Sequence, residues 1–233
     1  MARHNNRRNF LHRTGLLAAG LVFPRLNALA FQEKRSGVEA EEVSPTEDLM
    51  REHGLLNRVL LVYEEIGRRL TAKAEFDPKL LANAAGIIQH FIEEYHEKLE
   101  EDYLFPRFEK ANKLTDLVRV LREQHQAGRQ VTAQIQRLSR PSGVRDSENR
   151  QKLLKSLHSF IRMYRPHEAR EDTILFPALH GLVSRNECDS LGEEFEKKEH
   201  ELLGEEGFEK MVDQVAGLEK ALGIYDLARF TPR

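Results

Sequence analysis

His96 Glu97 Lys98 Leu99 Glu100 Glu101 Asp102 Tyr103 Leu104 Phe105 Pro106 returns 71 residues later as His167 Glu168 Ala169 Arg170 Glu171 Asp172 Thr173 Ile174 Leu175 Phe176 Pro177. Both stretches fit HExxE[ED]xxLFP. A second matching frame precedes each copy: Leu49 Met50 Arg51 Glu52 His53 (LMREH) before the first and Leu121 Arg122 Glu123 Gln124 His125 (LREQH) before the second, 43 and 42 residues ahead of the motif histidine. The chain thus carries one helical hairpin twice, with a histidine on the first arm and a His/Glu pair on the second. Four helices that place these residues at matching heights predict a metal-binding core.

The chemistry follows from the helix repeat. Residues four apart share a face, about 5–6 Å apart at Cβ, so His96/Glu100 and His167/Glu171 point inward together. Imidazole is a terminal nitrogen ligand, and a carboxylate bridges two cations while offsetting their charge. Histidine plus carboxylate favours iron, manganese or zinc over metals that prefer sulfur. A lone histidine, or an acidic run such as Glu97 to Asp102, usually reads as a solvated helix face. The duplicated spacing decides against that reading here.

These residues resemble the hemerythrin family in its bacterial HHE cation-binding branch, over residues 46–183. The resemblance implies an all-α, up-down four-helix bundle around an oxo- or hydroxo-bridged di-iron centre, a site type built between facing helices of such bundles. Its terminal ligands would be His53, His96, His125 and His167, and its bridging carboxylates Glu100 and Glu171. Oxygen-carrying members have a further histidine four residues after the third-helix one. Arg129 stands there in this chain, with Asn57 at the matching place after His53. That departure argues against reversible oxygen transport and toward four-histidine members, among them the iron- and oxygen-sensing domain of an F-box ubiquitin-ligase subunit.

Two rival motifs fail. Ferritin-like di-iron bundles use two ExxH motifs, but only Glu93 to His96 qualifies, because Tyr164 precedes His167 at the same offset. The zinc-protease motif HExxH needs a second histidine, where HEKLE and HEARE end in Glu100 and Glu171.

In 233 residues, 40% hydrophobic and 32% charged content with no tryptophan predicts one helical core with solvated outer faces. A net charge of −2 with both signs interspersed offers no basic patch for nucleic acid. Cys188 is the single cysteine and has no disulfide partner in the chain. Arg7 Arg8 Asn9 Phe10 Leu11 matches the twin-arginine pattern, and an apolar stretch from Gly15 to Phe23 precedes the AxA-type site Ala28 Leu29 Ala30. Residues 1–30 therefore read as a signal peptide that addresses the chain to the twin-arginine export machinery and the periplasm or another exported location. The apolar stretch is too short for a span of ~20 residues.

Residues 31–45 read as a linker. Helices are expected from Ser44–Glu47 to Leu70, from Asp77–Pro78 to Lys110 with Pro106 as a kink or stop, from Thr115 to Leu138, and from Ser147 to Leu182 with a bend at Pro166. Residues 187–233 form a C-terminal extension, with one or two accessory helices over Glu193 to Leu222. Tyr164 and Glu93, three residues before the motif histidines, share their face and are candidates to line the site or handle a proton; Asp172 is a rival to Glu171 as ligand. His90 and His158 fall about 240° and 180° away around the helix and should face outward. His180 lies past the second LFP, and His200 reads as a charged-face residue. The function expected is an exported non-haem di-iron protein that binds or senses oxygen, peroxide, nitric oxide or iron. The alternatives are a redox enzyme, such as a peroxide-consuming or di-iron oxidase, and a metal storage or delivery protein.

Overall fold

The computed structural model describes residues 43–232. The twin-arginine stretch, its cleavage site and the linker up to residue 42 lie outside the described residues. Regular structure among the described residues is helical throughout.

Helix α1 (Pro45–Ala72) starts where side chains can satisfy its first backbone donors. Glu47 N–H donates to Ser44 Oγ at 3.3 Å and Ser44 N–H to Glu47 Oε2 at 2.8 Å, a reciprocal capping box. Pro45 costs nothing at the first position, where an N–H would have no helical partner. Helix α2 (78–110) opens on Pro78 with Asp77 capping the Lys79 N–H at 2.9 Å. Helix α3 is Thr115–Leu138. Helix α4 (147–179) begins under an Asp146 cap on the Asn149 N–H at 2.8 Å. Each of α1 and α3 packs on both α2 and α4, so the four close into a bundle.

Apolar side chains at helical spacing on α1 (Leu49, Leu56, Val59, Leu60, Tyr63, Ile66) are fully buried, as are Phe91, Phe105, Phe108, Phe160 and Phe176 from the other arms. Each such side chain contributes about 1.5–3 kcal/mol of burial. Helices α5 (Arg185–Leu203) and α6 (Gly207–Leu222) pack outside α1 and the first half of α2. Arg58 ties α6 down through a two-pronged pair with Glu219, at 2.6 and 3.0 Å. The first accessory helix begins at Arg185, earlier than the Glu193 expected, because Ser184 and Glu187 form a second capping box.

The prolines depart from expectation. Pro106 neither stops α2 nor isolates its last turn. The helix is α-helical over Pro78–Ile87, π-helical over Ile88–His96, α-helical over Glu97–Leu99, π-helical over Glu100–Leu104, and α-helical again over Phe105–Lys110. A π turn restarts the hydrogen-bond register, so Pro106 enters the first turn of a new α segment, where its missing N–H is tolerated. The second copy repeats the device: α4 has a π turn at Glu171–Leu175, followed by Pro177 in the turn Phe176–Leu179. Pro166 lies inside the helix Ser147–Arg170 without interrupting it, and α4 ends at Leu179 rather than Leu182.

Candidate metal centre

The six residues marked by the repeat meet in the middle of the bundle, all buried. Glu171 Oε2 lies 3.4 Å from His53 Nε2 and 3.1 Å from His167 Nε2. Glu100 Oε2 lies 3.4 Å from His125 Nε2 and 3.8 Å from His96 Nε2. The histidine rings pair the other way: His53 with His96 at 4.7 Å between centroids and His125 with His167 at 5.0 Å. Each carboxylate therefore spans from one histidine pair to the other, the placement a bridging ligand needs. Glu100 and Glu171 both open a π turn one helical turn after a motif histidine. Insertions of this kind are frequent at functional sites.

Each of the four site histidines is held from behind through Nδ1. His53 faces Asp172 Oδ1 at 2.7 Å, His96 faces Glu52 Oε2 at 2.8 Å, His125 faces Glu101 Oε1 at 3.1 Å, and His167 faces Gln124 Oε1 at 2.9 Å. An Nδ1–H donated to these oxygens leaves the Nε2 lone pair directed at the centre, the tautomer a metal ligand requires. The pattern has pseudo-twofold logic. Glu52 and Gln124 each precede a first-arm histidine and serve the second-arm histidine of their own hairpin, whereas Glu101 and Asp172 each follow one of the two central glutamates and serve the other hairpin. Phe176 stacks on His53 and Phe105 on His125, at 5.5 and 5.6 Å between centroids, so the phenylalanine of each LFP walls the site.

Electrostatics calls for positive charge at the centre. All four carboxylate oxygens of Glu100 and Glu171 are buried without a hydrogen-bond partner, and leaving a buried charged acceptor unsatisfied costs more than the ~1–3 kcal/mol of a neutral one. Burial and the facing Glu171 carboxylate push Glu100 well above the usual carboxylate range. Burial opposes charge on His53, but the Asp172 and Glu171 carboxylates outweigh it and raise that imidazole to about 10. His125, where burial prevails over Glu101, is depressed to about 4. His125 Nε2 and His167 Nε2 stand 3.2 Å apart, a hydrogen bond when one of them carries a proton; with both protons on Nδ1 the two lone pairs face each other, an arrangement that a cation between them would relieve. Four imidazole nitrogens with carboxylate oxygens are a donor set suited to iron, manganese or zinc.

The remaining expected residues fall into place around this core. Asp172 is not at the centre but orients His53. Arg129 Nη2 pairs with Glu97 Oε2 at 2.7 Å and Glu101 Oε1 at 2.8 Å, and Asn57 donates to Glu168 Oε2. Tyr164 is buried beside His167 and donates to Glu97 Oε1 at 2.6 Å. Glu93 is buried at the edge of the site. His90, His158, His180 and His200 are exposed. Glu52, Glu101, Gln124, Phe105 and Phe176 were not singled out from the sequence, although the repeat marks them too, since each occupies the same offset in both copies.

The family model for the hemerythrin HHE cation binding domain matches residues 44–179. Uncharacterized proteins of Mycobacterium bovis and of two strains of Mycobacterium tuberculosis are each 49% identical to this chain over 190 residues, covering 82% of it and 74% of their own length. No solved structure matches significantly.

Proposed function

This chain belongs to the hemerythrin family through its HHE cation-binding domain, and on that premise we propose that it is an exported non-haem di-iron protein that binds or senses oxygen, peroxide, nitric oxide or iron. The observation that carries the reading is the arrangement of Glu100 and Glu171, buried, without hydrogen-bond partners, and each reaching one histidine of both pairs. Two cations held between Glu100 and Glu171 would satisfy these oxygens together. Iron, when bound, would supply redox chemistry.

The chain's own residues do the rest. His53 and His96 would hold one cation and His125 and His167 the other, each ring fixed by its Nδ1 partner. Phe105 and Phe176 shield the histidines from water, which strengthens every charge interaction inside. Tyr164 keeps a proton at its hydroxyl, within hydrogen-bond reach of Glu97. Manganese or zinc fits the same donors, so metal identity is the deciding measurement. Metal analysis with an optical spectrum of the protein isolated from its native compartment should give two irons per chain and a visible ferric band. A single zinc per chain, or none of these metals, would overturn the reading.

Export rests on Arg7 to Leu11 and Ala28 to Ala30. Recovery of a mature chain starting near Phe31 outside the cytoplasm supports it, and an intact Met1 terminus in the cytoplasm overturns it. Peroxide consumption is the second reading. It is favoured by the polar network Tyr164–Glu97–Arg129–Glu101, which ends on His125. Sustained peroxide turnover by the iron form distinguishes it from binding alone.

A further inference from the structure

Between α2 and α3 lies a cavity of about 430 Å³ lined by Gln89, Glu93, Lys98, Arg129, Thr132 and Gln136. Glu93 forms part of its wall, is only 6% exposed, and keeps Oε1 without a hydrogen-bond partner. Further in, Glu97, Glu101 and His125 offer three ligand atoms within 4.8 Å of one another. A cation already sits against the two glutamates: the Arg129 guanidinium, at 2.7 and 2.8 Å. Glu101 Oε1 also meets His125 Nδ1 at 3.1 Å, and the far side of the same ring, Nε2, lies 3.4 Å from Glu100 Oε2. Cation-binding atoms thus follow one another from the cavity wall to the core.

We infer that this cavity is the loading route by which a divalent cation reaches the histidine and glutamate core, with Glu93 as its first buried ligand and Glu97 and Glu101 as the inner relay. Arg129 holds the relay until the metal displaces its side chain, which is 29% exposed and so has room to swing outward. Lys98, paired with Glu101 at 2.5 Å, completes the neutralisation at the mouth. The route occurs once in the repeat. The second copy has Tyr164 where the first has Glu93, and the first has Asn57 where the second has Arg129, so the matching path lacks both its first carboxylate and its resident cation. The wall carries both signs, Glu93 and Glu94 against Lys98 and Arg129, so the expected effect is that of losing one carboxylate ligand from the path rather than of a field of one sign.

The inference rests on the metal-binding reading above, and one experiment separates the two. Full-length apo protein is mixed anaerobically with Co²⁺, and growth of the cobalt absorption gives the loading rate while the endpoint gives the stoichiometry. Glu93→Gln, nearly isosteric, should load about tenfold more slowly to an unchanged endpoint. Arg129→Gln should load faster, and Glu148→Gln, on the exposed start of α4, should match the wild type. Wild-type loading rates in Glu93→Gln would overturn the route while leaving the metal centre intact, and an unchanged rate in Arg129→Gln would overturn the gating role. A wild-type protein that takes up no cobalt would overturn the metal centre, and the route with it.

Discussion

His96 Nδ1 stands 2.8 Å from the carboxylate of Glu52, the residue immediately before His53. At the matching place His167 Nδ1 meets the neutral amide of Gln124 at 2.9 Å. The His53/His96 pair is therefore backed by two carboxylates, Asp172 and Glu52, and the His125/His167 pair by one carboxylate and one amide. A carboxylate behind an imidazole makes it a stronger donor, and its loss typically costs about 10–100-fold in metal affinity. Two unequal metal sites are expected, the tighter at His53/His96. Glu52→Gln should weaken that site by about this factor, and Gln124→Glu should tighten the other. Chelator competition reads both affinities; one affinity common to all three proteins would contradict the asymmetry.

Removing a ligand should be distinguishable from removing a histidine elsewhere. His96→Ala and His167→Ala are each expected to lose at least one metal per chain, and His158→Ala, exposed on α4, to lose none. Because a metal that binds only the folded chain adds folding free energy, about 2.7 kcal/mol at a hundredfold excess over Kd, the loaded protein should melt above the apo protein. Coincident melting curves would place the metal outside the core.

Much of this site was legible because the hairpin occurs twice. One HExxE reads as a charged helix face; two copies with matched upstream histidines mark His53, His96, Glu100, His125, His167 and Glu171, the residues that the fold brings together. Helix starts were legible at Ser44, Asp77 and Ser147, and the side chains of Ser44, Asp77 and Asp146 cap the first backbone donors there. The π turns were not, because an apolar pattern near 3.6 residues per turn does not record a local change of hydrogen-bond register, and Pro106 then reads as a stop. The Nδ1 partners were hidden differently. Asp172 serves His53 across 119 residues, a pairing set by how the two hairpins dock rather than by local spacing.

Gly128 makes room for Tyr164. A Cβ at this position would lie 2.1 Å from the Tyr164 hydroxyl oxygen and 2.9 Å from Cζ, so Gly128→Ala must displace the ring and break its 2.6 Å bond to Glu97. Overpacking of this kind costs about 1–3 kcal/mol, or roughly 2–4 °C of melting temperature per kcal/mol in a domain of this size. Tyr164→Phe added to Gly128→Ala should recover part of the loss, since the oxygen is gone but Cζ remains close. Additive losses in the double-mutant cycle would show that the two positions do not interact.

Glu93 should make the apo protein less stable as pH rises. Burial, only partly offset by Thr132 and Arg129, holds its carboxyl above the ordinary value of 4.5. The folded state therefore keeps this proton to higher pH than the unfolded state. The resulting stabilisation is complete below pH 4.5 and is lost as pH passes through the raised folded value. Glu93→Gln removes this dependence. Its melting temperature relative to the wild type should climb from pH 4.5 toward pH 8; a constant offset across that range would show that Glu93 ionises in the fold as it does in solvent.

Arg129 is expected to set the behaviour of an iron-loaded centre toward oxygen. It stands four residues after His125, where oxygen-carrying members of the family have a histidine, and its pairs with Glu97 and Glu101 turn it from the centre, so that a metal at His125/His167 would have two nitrogen donors. Fewer nitrogen donors and a polar, partly exposed network beside His125 favour net oxidation over reversible binding. The iron(II)-loaded protein should therefore oxidise within minutes in air and fail to recover its starting spectrum when oxygen is withdrawn. Arg129→His should slow that oxidation. It should also cost on the order of 1–3 kcal/mol of stability, because Glu97 loses its cationic partner; the loss stays below the 3–5 kcal/mol of a fully buried pair since Arg129 keeps 29% exposure. A wild-type spectrum that returns unchanged through repeated oxygen and vacuum cycles would restore the carrier reading.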